Sequence, residues 1–204
     1  MATILATAIG VGLGLLLSSK RLVGRDLIDA IATAPLVMPP TVLGYYLLVV
    51  LGRRSLLGHA WEAMTGSSIV FTRTGAVVAA TIGSLPLVIK SSRAALEGVD
   101  RALISAARTL GASPARVFFT IQAPLASRGL VAGVMLGFAR ALGDFGVTLM
   151  VAGDIPTETQ TAALAIYDAI QSRREAEAAG MVAVLTGIAV LALYSVNKLT
   201  RRRE

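Results

Sequence analysis

Residues 105–125 read SAARTLGASPARVFFTIQAPL, a pattern typical of two short helices joined by a tight turn. Asp100 precedes the first helix and is expected to cap it, and Gly111 lies where a left-handed glycine would end it. Ser113 is expected to cap the second helix. Pro114 occupies the first turn of that helix, where its missing N–H is harmless. These local signals predict a helix-turn-helix element.

The second helix of this element carries an apolar stripe at helical spacing. Its members are Val117, Phe118, Ile121 and Leu125, and Pro124 is expected to limit the far end of the helix. An apolar stripe outside a hydrophobic core needs a covering partner. A second protein or the other helices of this chain can supply it, and both interpretations stay open. We call the predicted element, residues 97–125, the hairpin.

The composition is that of a membrane protein. Hydrophobic residues make up 55% of the 204 residues and charged residues 15%, whereas soluble domains carry about a quarter charged residues. Crossing a bilayer takes about 20 mostly apolar residues. Five blocks approach this requirement, at 1–18, 27–51, 74–89, 129–152 and 178–196. We therefore predict an all-α integral membrane protein of about five spans, folded as a single domain over residues 1–204.

The residue inventory excludes several kinds of site. Cysteine is absent and His59 is the only histidine, so thiolate chemistry and a histidine-based metal centre are excluded. A net charge of +7 can indicate nucleic-acid binding, but the cations of this chain lie between its apolar blocks. No nucleic-acid partner is expected, and membrane orientation explains the cations better.

The distribution of basic residues predicts the orientation of the spans. Thirteen Lys and Arg residues fall in alternate connections, three at 20–25, six at 90–128 and four from Lys198 onward. Five fall in the other connections. Because basic residues concentrate on the cytoplasmic side, we expect the N-terminus outside, with the C-terminus and the hairpin in the cytoplasm. The first block has its basic residues after it, so it is expected to be a retained helix.

The hairpin resembles the EAA loop of bacterial ABC importer permeases, whose pattern is Glu-Ala-Ala, three residues, Gly, nine residues, Ile, one residue and Leu-Pro. The matching positions are Ala106, Ala107, Gly111, Ile121 and Pro124. Ser105 stands where the family usually has Glu, and Ala123 where it has Leu. The resemblance implies that these residues form a coupling helix, which docks on a separate ABC ATPase subunit.

No ATP site is expected in this chain. It contains no Gly-Lys pair and therefore no Walker A phosphate loop. The resemblance implies that ATP and Mg²⁺ are bound by the partner ATPase subunits. The chain itself is expected to hold no cofactor and to catalyse no reaction.

Three further stretches, at 34–54, 84–100 and 138–161, are most similar to molybdate and tungstate permease subunits. The resemblance implies a type I ABC importer permease fold, a homodimer, and a periplasmic or lipoprotein oxyanion-binding protein as partner. It also implies the cytoplasmic (inner) membrane of a bacterial or archaeal cell. A sulfate or thiosulfate importer is the main alternative, and an ATP-independent secondary transporter is a further one.

Two features of the apolar blocks are candidates for the translocation path. Two prolines interrupt the second block and are expected to bend its helix, which frees carbonyls that need protein or water. An arginine and an aspartate lie four residues apart in the fourth block and are expected to pair, since an unpaired charge there costs a few kcal/mol. For each feature the alternative is a purely structural role, as a kink or as an ion pair that contacts no ligand. The pore or gate candidates are Pro39, Pro40, Thr41, Arg140, Asp144 and Thr148.

The fourth block also carries a stripe of small residues, one every fourth position. Its members are Gly129, Gly133, Gly137 and Ala141. Small residues at this spacing let a second helix approach closely inside a membrane. The stripe therefore predicts tight helix packing, with the neighbour in the same chain or in another.

Overall fold

A computed structural model describes residues 1–18 and 23–200 of the chain. All regular structure within those residues is helical. Lys20 and Arg21, which entered the orientation count, and residues 201–204 of the basic tail lie outside the described residues. The predicted all-α class is confirmed.

The helices are numbered along the chain. The first are α1 (Ala2–Ser18), α2 (Arg25–Thr33), α3 (Pro40–Leu51), α4 (Leu56–Thr65) and α5 (Arg73–Glu97), with a 3₁₀ turn at Ala34–Leu36. The hairpin contains α6 (Arg101–Thr109) and α7 (Pro114–Val117), and a π-helical turn (Phe118–Gln122) joins α7 to α8 (Ala123–Leu142). The last are α9 (Gly146–Ala152), α10 (Ala162–Gln171) and α11 (Glu175–Thr200).

Several of these helices are suited to a bilayer by length and composition. Three are long and apolar enough to cross it, at Arg73–Glu97, Pro114–Leu142 and Glu175–Ser195. A fourth candidate is a bent pair, Arg25–Leu36 with Pro40–Leu51, and α1 is a shorter apolar helix. Each of the five predicted blocks is therefore helical in the described part of the chain, although the bounds differ.

Helix α5 lies at the centre of the bundle, where it packs against α1, α8 and α9. Glycines on α1 allow the first of these contacts. A Cβ atom at Gly10 would lie only 2.7 Å from Val88 Cγ1, and one at Gly14 only 2.8 Å from Ser92 Cβ. Close backbone approach, rather than interlocking of large side chains, therefore holds α1 on α5.

The small-residue stripe of α8 packs on a face of α5 next to the one that α1 covers. Its three glycines leave no room for a Cβ atom, so the predicted tight packing is confirmed and the neighbour belongs to the same chain. A Cβ would lie 2.6 Å from Ala95 Cβ at Gly129, 2.6 Å from Ser91 Cβ at Gly133, and 2.5 Å from Val88 Cγ2 at Gly137.

Replacing Gly133 with alanine is expected to lower the thermal unfolding midpoint of the detergent-solubilised protein. The added methyl meets Ser91 Cβ, which cannot rotate away, so the overpacking should cost about 1–3 kcal/mol. Gly180→Ala is the matched control, because a Cβ at Gly180 on α11 has open space around it. Equal midpoints for the two variants would contradict the packing described here.

The second block is broken more sharply than a kinked span. Its two halves are bent by 111° relative to one another. Pro39 precedes α3 with extended backbone and Pro40 occupies its first turn, so the prolines begin a new helix rather than bend a continuous one. The prediction of one span over 27–51 is therefore wrong in that respect, although the predicted bend is present.

Two prolines lie inside long helices without ending them. Pro86 lies inside α5, which continues uninterrupted to Glu97, beyond the predicted end at residue 89. Pro124 was expected to limit the second helix of the hairpin, and this expectation is wrong. The chain forms the π-helical turn just before it and continues directly into α8. The wider turn accommodates a ring that would otherwise clash with the carbonyl four residues earlier.

The fourth block is also not one helix. Helix α8 ends at Leu142, and α9 begins at Gly146 after a three-residue break. Pro40 lies against the start of α9, because a Cβ at Gly146 would lie 2.7 Å from Pro40 Cβ. Helices α3 and α9 thus pack closely at their starts. This contact positions the polar residues of the break.

Candidate functional site

Three local features build the turn of the hairpin. Asp100 Oδ1 accepts a hydrogen bond of 2.8 Å from an N–H in the first turn of α6. Gly111 has a φ of +81°, and the N–H that follows it donates to the carbonyl of Ala107 at 3.0 Å. Ser113 Oγ accepts a hydrogen bond of 3.3 Å from an N–H of α7. The predicted caps and the predicted left-handed glycine are confirmed.

One face of α6 is apolar and uncovered. Leu103 is 48% exposed and Leu110 87% exposed, and Ala106 is exposed between them. Ala107 is half-buried beside them, and Phe119 on the other arm of the hairpin is 71% exposed. The two leucines were not among the predicted site residues, although their spacing of seven residues was a signal. Exposed apolar surface on a polar element is typical of a docking site.

The opposite face of α6 lines a groove of about 1000 Å³ between the hairpin and the end of α1. Arg101, Ser105 and Arg108 contribute polar atoms to this groove, and Leu15 of α1 contributes an apolar wall. Ser105 therefore lies on the groove side of the helix and not on the side of Leu110. A serine at this position puts no negative charge between the two arginines.

The predicted apolar stripe of the second hairpin helix is covered only in its first part. Val117 is buried, and Phe118 packs against a buried cluster that includes Leu96 of α5. Ile121 is half-buried, whereas Pro124 and Leu125 are exposed. The chain's own bundle thus covers the start of the stripe, as one of the two interpretations predicts.

A partly buried ion pair lies at the break between α8 and α9. Arg140 Nη1 donates to Asp144 Oδ1 at 3.1 Å, which confirms the predicted pairing. Asp144 Oδ2 accepts two further hydrogen bonds from Thr148, 3.0 Å from its N–H and 2.6 Å from its hydroxyl. The carboxylate therefore caps the first turn of α9 while it neutralises the arginine. It does so from within the break, not from the continuous helix that was predicted.

The two members of this pair differ in exposure. Asp144 is 3% exposed, whereas the Arg140 side chain is 33% exposed. Gly83 of α5 faces both, because a Cβ at Gly83 would lie 3.5 Å from Asp144 Oδ1 and 3.9 Å from Arg140 Nη2. The fixed carboxylate thus holds a guanidinium group that still reaches the protein surface.

The structure brings part of the predicted pore set together. Thr148 is buried beside Asp144, and Pro40 contacts the start of α9 only two residues after Asp144. Pro39 and Thr41 flank Pro40 and are exposed. The broken second block and the ion pair thus meet at one place.

Comparison with known proteins identifies relatives along almost the whole chain. A family model described as the binding-protein-dependent transport system inner membrane component matches residues 8–202. The molybdenum transport system permease protein ModB of Escherichia coli K12 is 41% identical over 202 residues, which cover 98% of this chain and 88% of that protein. The sulfate transport system permease protein CysT of the same strain is 31% identical, over 99% of this chain and 73% of that protein.

One solved structure shares the arrangement of helices. The inward-facing MetNI methionine ABC transporter matches with a TM-score of 0.69 and 18% identity, over 98% of this chain and 90% of that chain. A likeness at this identity shows the fold alone. The predicted ABC importer permease fold is thereby confirmed.

Proposed function

The chain belongs to the family of binding-protein-dependent transport system inner membrane components, and we propose that it is the pore-forming permease subunit of an ATP-driven molybdate importer. In this proposal two copies enclose the path, and separate ABC ATPase subunits bind ATP and Mg²⁺ in the cytoplasm. A periplasmic or lipoprotein binding protein delivers the oxyanion to the outer face. The permease contributes no covalent chemistry, and the membrane is the cytoplasmic (inner) membrane.

The observation that carries this proposal is the uncovered apolar face of the hairpin. Leu103 and Leu110 present apolar surface to the surroundings, on a hairpin whose Ile104 packs from the groove side against a buried cluster of the chain's own bundle. A partner that covers this face gains hydrophobic contact area without unfolding any part of the permease. The turn at Gly111 fixes the angle between the two arms, so the partner meets one defined shape.

The continuity of the chain supports transmission from the hairpin to the proposed path. The second arm of the hairpin continues through the π-helical turn into α8, and α8 ends at the Arg140–Asp144 pair. In this proposal a guanidinium group held by a buried carboxylate offers the oxyanion a weak cationic contact. Partial neutralisation by Asp144 keeps that contact weak enough for the anion to leave.

Two relatives bear on the transported anion. The molybdenum relative is 41% identical and the sulfate relative 31% identical, and both matches extend over nearly all of this chain. The greater similarity favours molybdate, and tungstate follows as a second substrate because its tetrahedral dianion has nearly the same size and charge. Sulfate or thiosulfate remains the second candidate.

The test is uptake by the permease reconstituted with its ATPase and binding-protein partners in vesicles. We expect uptake of labelled molybdate only with ATP present, and we expect unlabelled tungstate to compete at far lower concentration than sulfate. Stronger competition by sulfate would assign the chain to the second candidate. Uptake by vesicles that lack the ATPase subunit would instead indicate an ATP-independent secondary transporter.

A further inference from the structure

Five charged side chains connect α2 to the last two turns of α5. The contacts are short, and each of the two carboxylates is shared between two cations. They are Lys90 Nζ to Asp29 Oδ2 at 2.7 Å, Arg93 Nη1 to Asp29 Oδ2 at 3.0 Å, Arg93 Nε to Glu97 Oε1 at 3.0 Å, and Arg25 Nη2 to Glu97 Oε1 at 2.7 Å. We call these five residues the α2–α5 ion network.

The network is more enclosed than an ordinary surface ion pair. The side chains of Arg25, Asp29 and Arg93 are 17%, 16% and 20% exposed, and those of Glu97 and Lys90, at the edge of the network, are 35% and 46% exposed. Isolated exposed pairs contribute little, because water screens them and their side chains lose conformational freedom. A network whose partners are partly desolvated and shared holds its members in one geometry. Removing Asp29 leaves Lys90 without its partner in the network and Arg93 with Glu97 alone.

The network lies between the hairpin and the proposed path. Glu97 is the last residue of α5, three residues before the Asp100 cap of α6. Helix α2 leads through the 3₁₀ turn to α3, which packs on α9. A Cβ at Gly44 of α3 would lie 2.6 Å from Met150 Cβ of α9. The α2–α3 pair therefore contacts both the start of the hairpin and the helix that follows the ion pair.

Helix α8 already links the hairpin to the proposed path. Helices α2 and α3 are not continuous with the hairpin. The α2–α5 ion network supplies a link by contact. We propose that Asp29 and Glu97 are positioning residues that make the α2–α3 pair follow the hairpin during the transport cycle. This inference rests on the proposed function. It predicts that breaking the network separates ATP hydrolysis from transport, since the ATPase still moves the hairpin while α2–α3 no longer follows.

Asp29→Asn tests the inference in the complete complex with the ATPase and binding protein in vesicles. The change removes the charge and keeps the shape. We expect labelled molybdate uptake to fall about tenfold, with less than about a twofold change in binding-protein-stimulated ATP hydrolysis. Asp168→Asn is the matched control, because it removes an acidic partner of Arg174, 2.6 Å away, in an exposed pair outside the network. The control is expected to transport like the wild type.

A variant that keeps the charge separates positioning from assembly. Asp29→Glu retains the carboxylate that Lys90 and Arg93 contact at 2.7 and 3.0 Å, and adds one methylene. We expect it to keep most of the uptake that Asp29→Asn loses. Uptake as low as that of Asp29→Asn in an assembled complex would overturn the inference. So would unchanged uptake in Asp29→Asn, or a parallel loss of uptake and hydrolysis, which would indicate that less complex had assembled.

The wild-type complex tests the proposed function separately from the role of the network. If it takes up molybdate with ATP while Asp29→Asn behaves identically, only the role of the network is refuted. If the wild-type complex takes up no molybdate under any condition, the proposed function fails and the inference fails with it.

Discussion

Replacing Gly111 with valine is expected to abolish ATP-dependent uptake and reduce capture of the ATPase subunit by at least about tenfold. The φ of +81° at this position is strongly disfavoured for a β-branched residue, which must leave the left-handed region. The angle between the two hairpin arms then changes, and the exposed face of Leu103 and Leu110 no longer has the shape that a partner recognises. Membrane insertion should be unaffected.

Two controls isolate the backbone requirement. A Cβ at Gly111 meets no atom within 4 Å, so side-chain bulk alone does not explain a loss. Gly111→Asn should keep most of the activity, because asparagine tolerates the left-handed conformation. Gly180→Val adds the same side chain at an open position of α11 and should be active. Normal pulldown and uptake by Gly111→Val would count strongly against the coupling role of the hairpin.

Replacing Asp144 with alanine is expected to give the largest loss of stability of any single change at the site. The change leaves Arg140 without its 3.1 Å partner and removes the acceptor of the Thr148 N–H. Breaking a fully buried pair from one side costs about 3–5 kcal/mol, and we expect a loss of about 2–3 kcal/mol here because the Arg140 side chain is 33% exposed. The measurement is the amount of folded protein in membranes and its thermal unfolding midpoint. An unchanged midpoint would show that the pair does not stabilise the α8–α9 break.

The double variant Arg140→Leu with Asp144→Leu separates stability from transport. Removing both charges eliminates the unpaired arginine, so we expect the unfolding midpoint to recover well above that of Asp144→Ala. Uptake should stay low, because the proposed contact for the oxyanion is gone. A double variant that is both stable and active would show that the pair is structural and that Arg140 does not contact the anion.

The parts of the hairpin that follow local rules were predictable from the sequence. Caps at Asp100 and Ser113 and a left-handed residue at Gly111 depend on interactions within a few residues, and the structure has all three. The apolar blocks were predictable because they reflect the solvent around the chain rather than any particular contact. The pairing of Arg140 with Asp144 was predictable because the cost of a lone charge leaves few alternatives.

The breaks were harder to predict because they depend on contacts between distant segments. Pro86 and Pro124 both lie in long helices, and only the second is accompanied by a π-helical turn. Nothing in the neighbouring residues distinguishes them. The start of α9 packs against Pro40, about a hundred residues earlier in the chain. Local sequence cannot report such a contact.

The mean hydropathy of an apolar block also gave no indication of the role of Asp29. It lies in the block 27–51, which was predicted as one span, and its charge is outweighed there by the apolar residues around it. In the structure it pairs with Lys90 and Arg93, and α2 carries Arg25 and Asp29 on the side that meets α5. The informative signal was the positions of the charges along α2 rather than the mean hydropathy of the block.

The uninterrupted course of Pro114–Leu142 has a geometric consequence. Its 29 residues form one rod, which at about 1.5 Å per residue is about 43 Å long. A tilt of about five degrees imposed at Pro114 would displace Leu142 by about 4 Å, comparable to the radius of a small anion with its nearest waters. A small tilt at one end of the rod thus becomes a large displacement at the other end. The permease needs no flexible joint between the two ends.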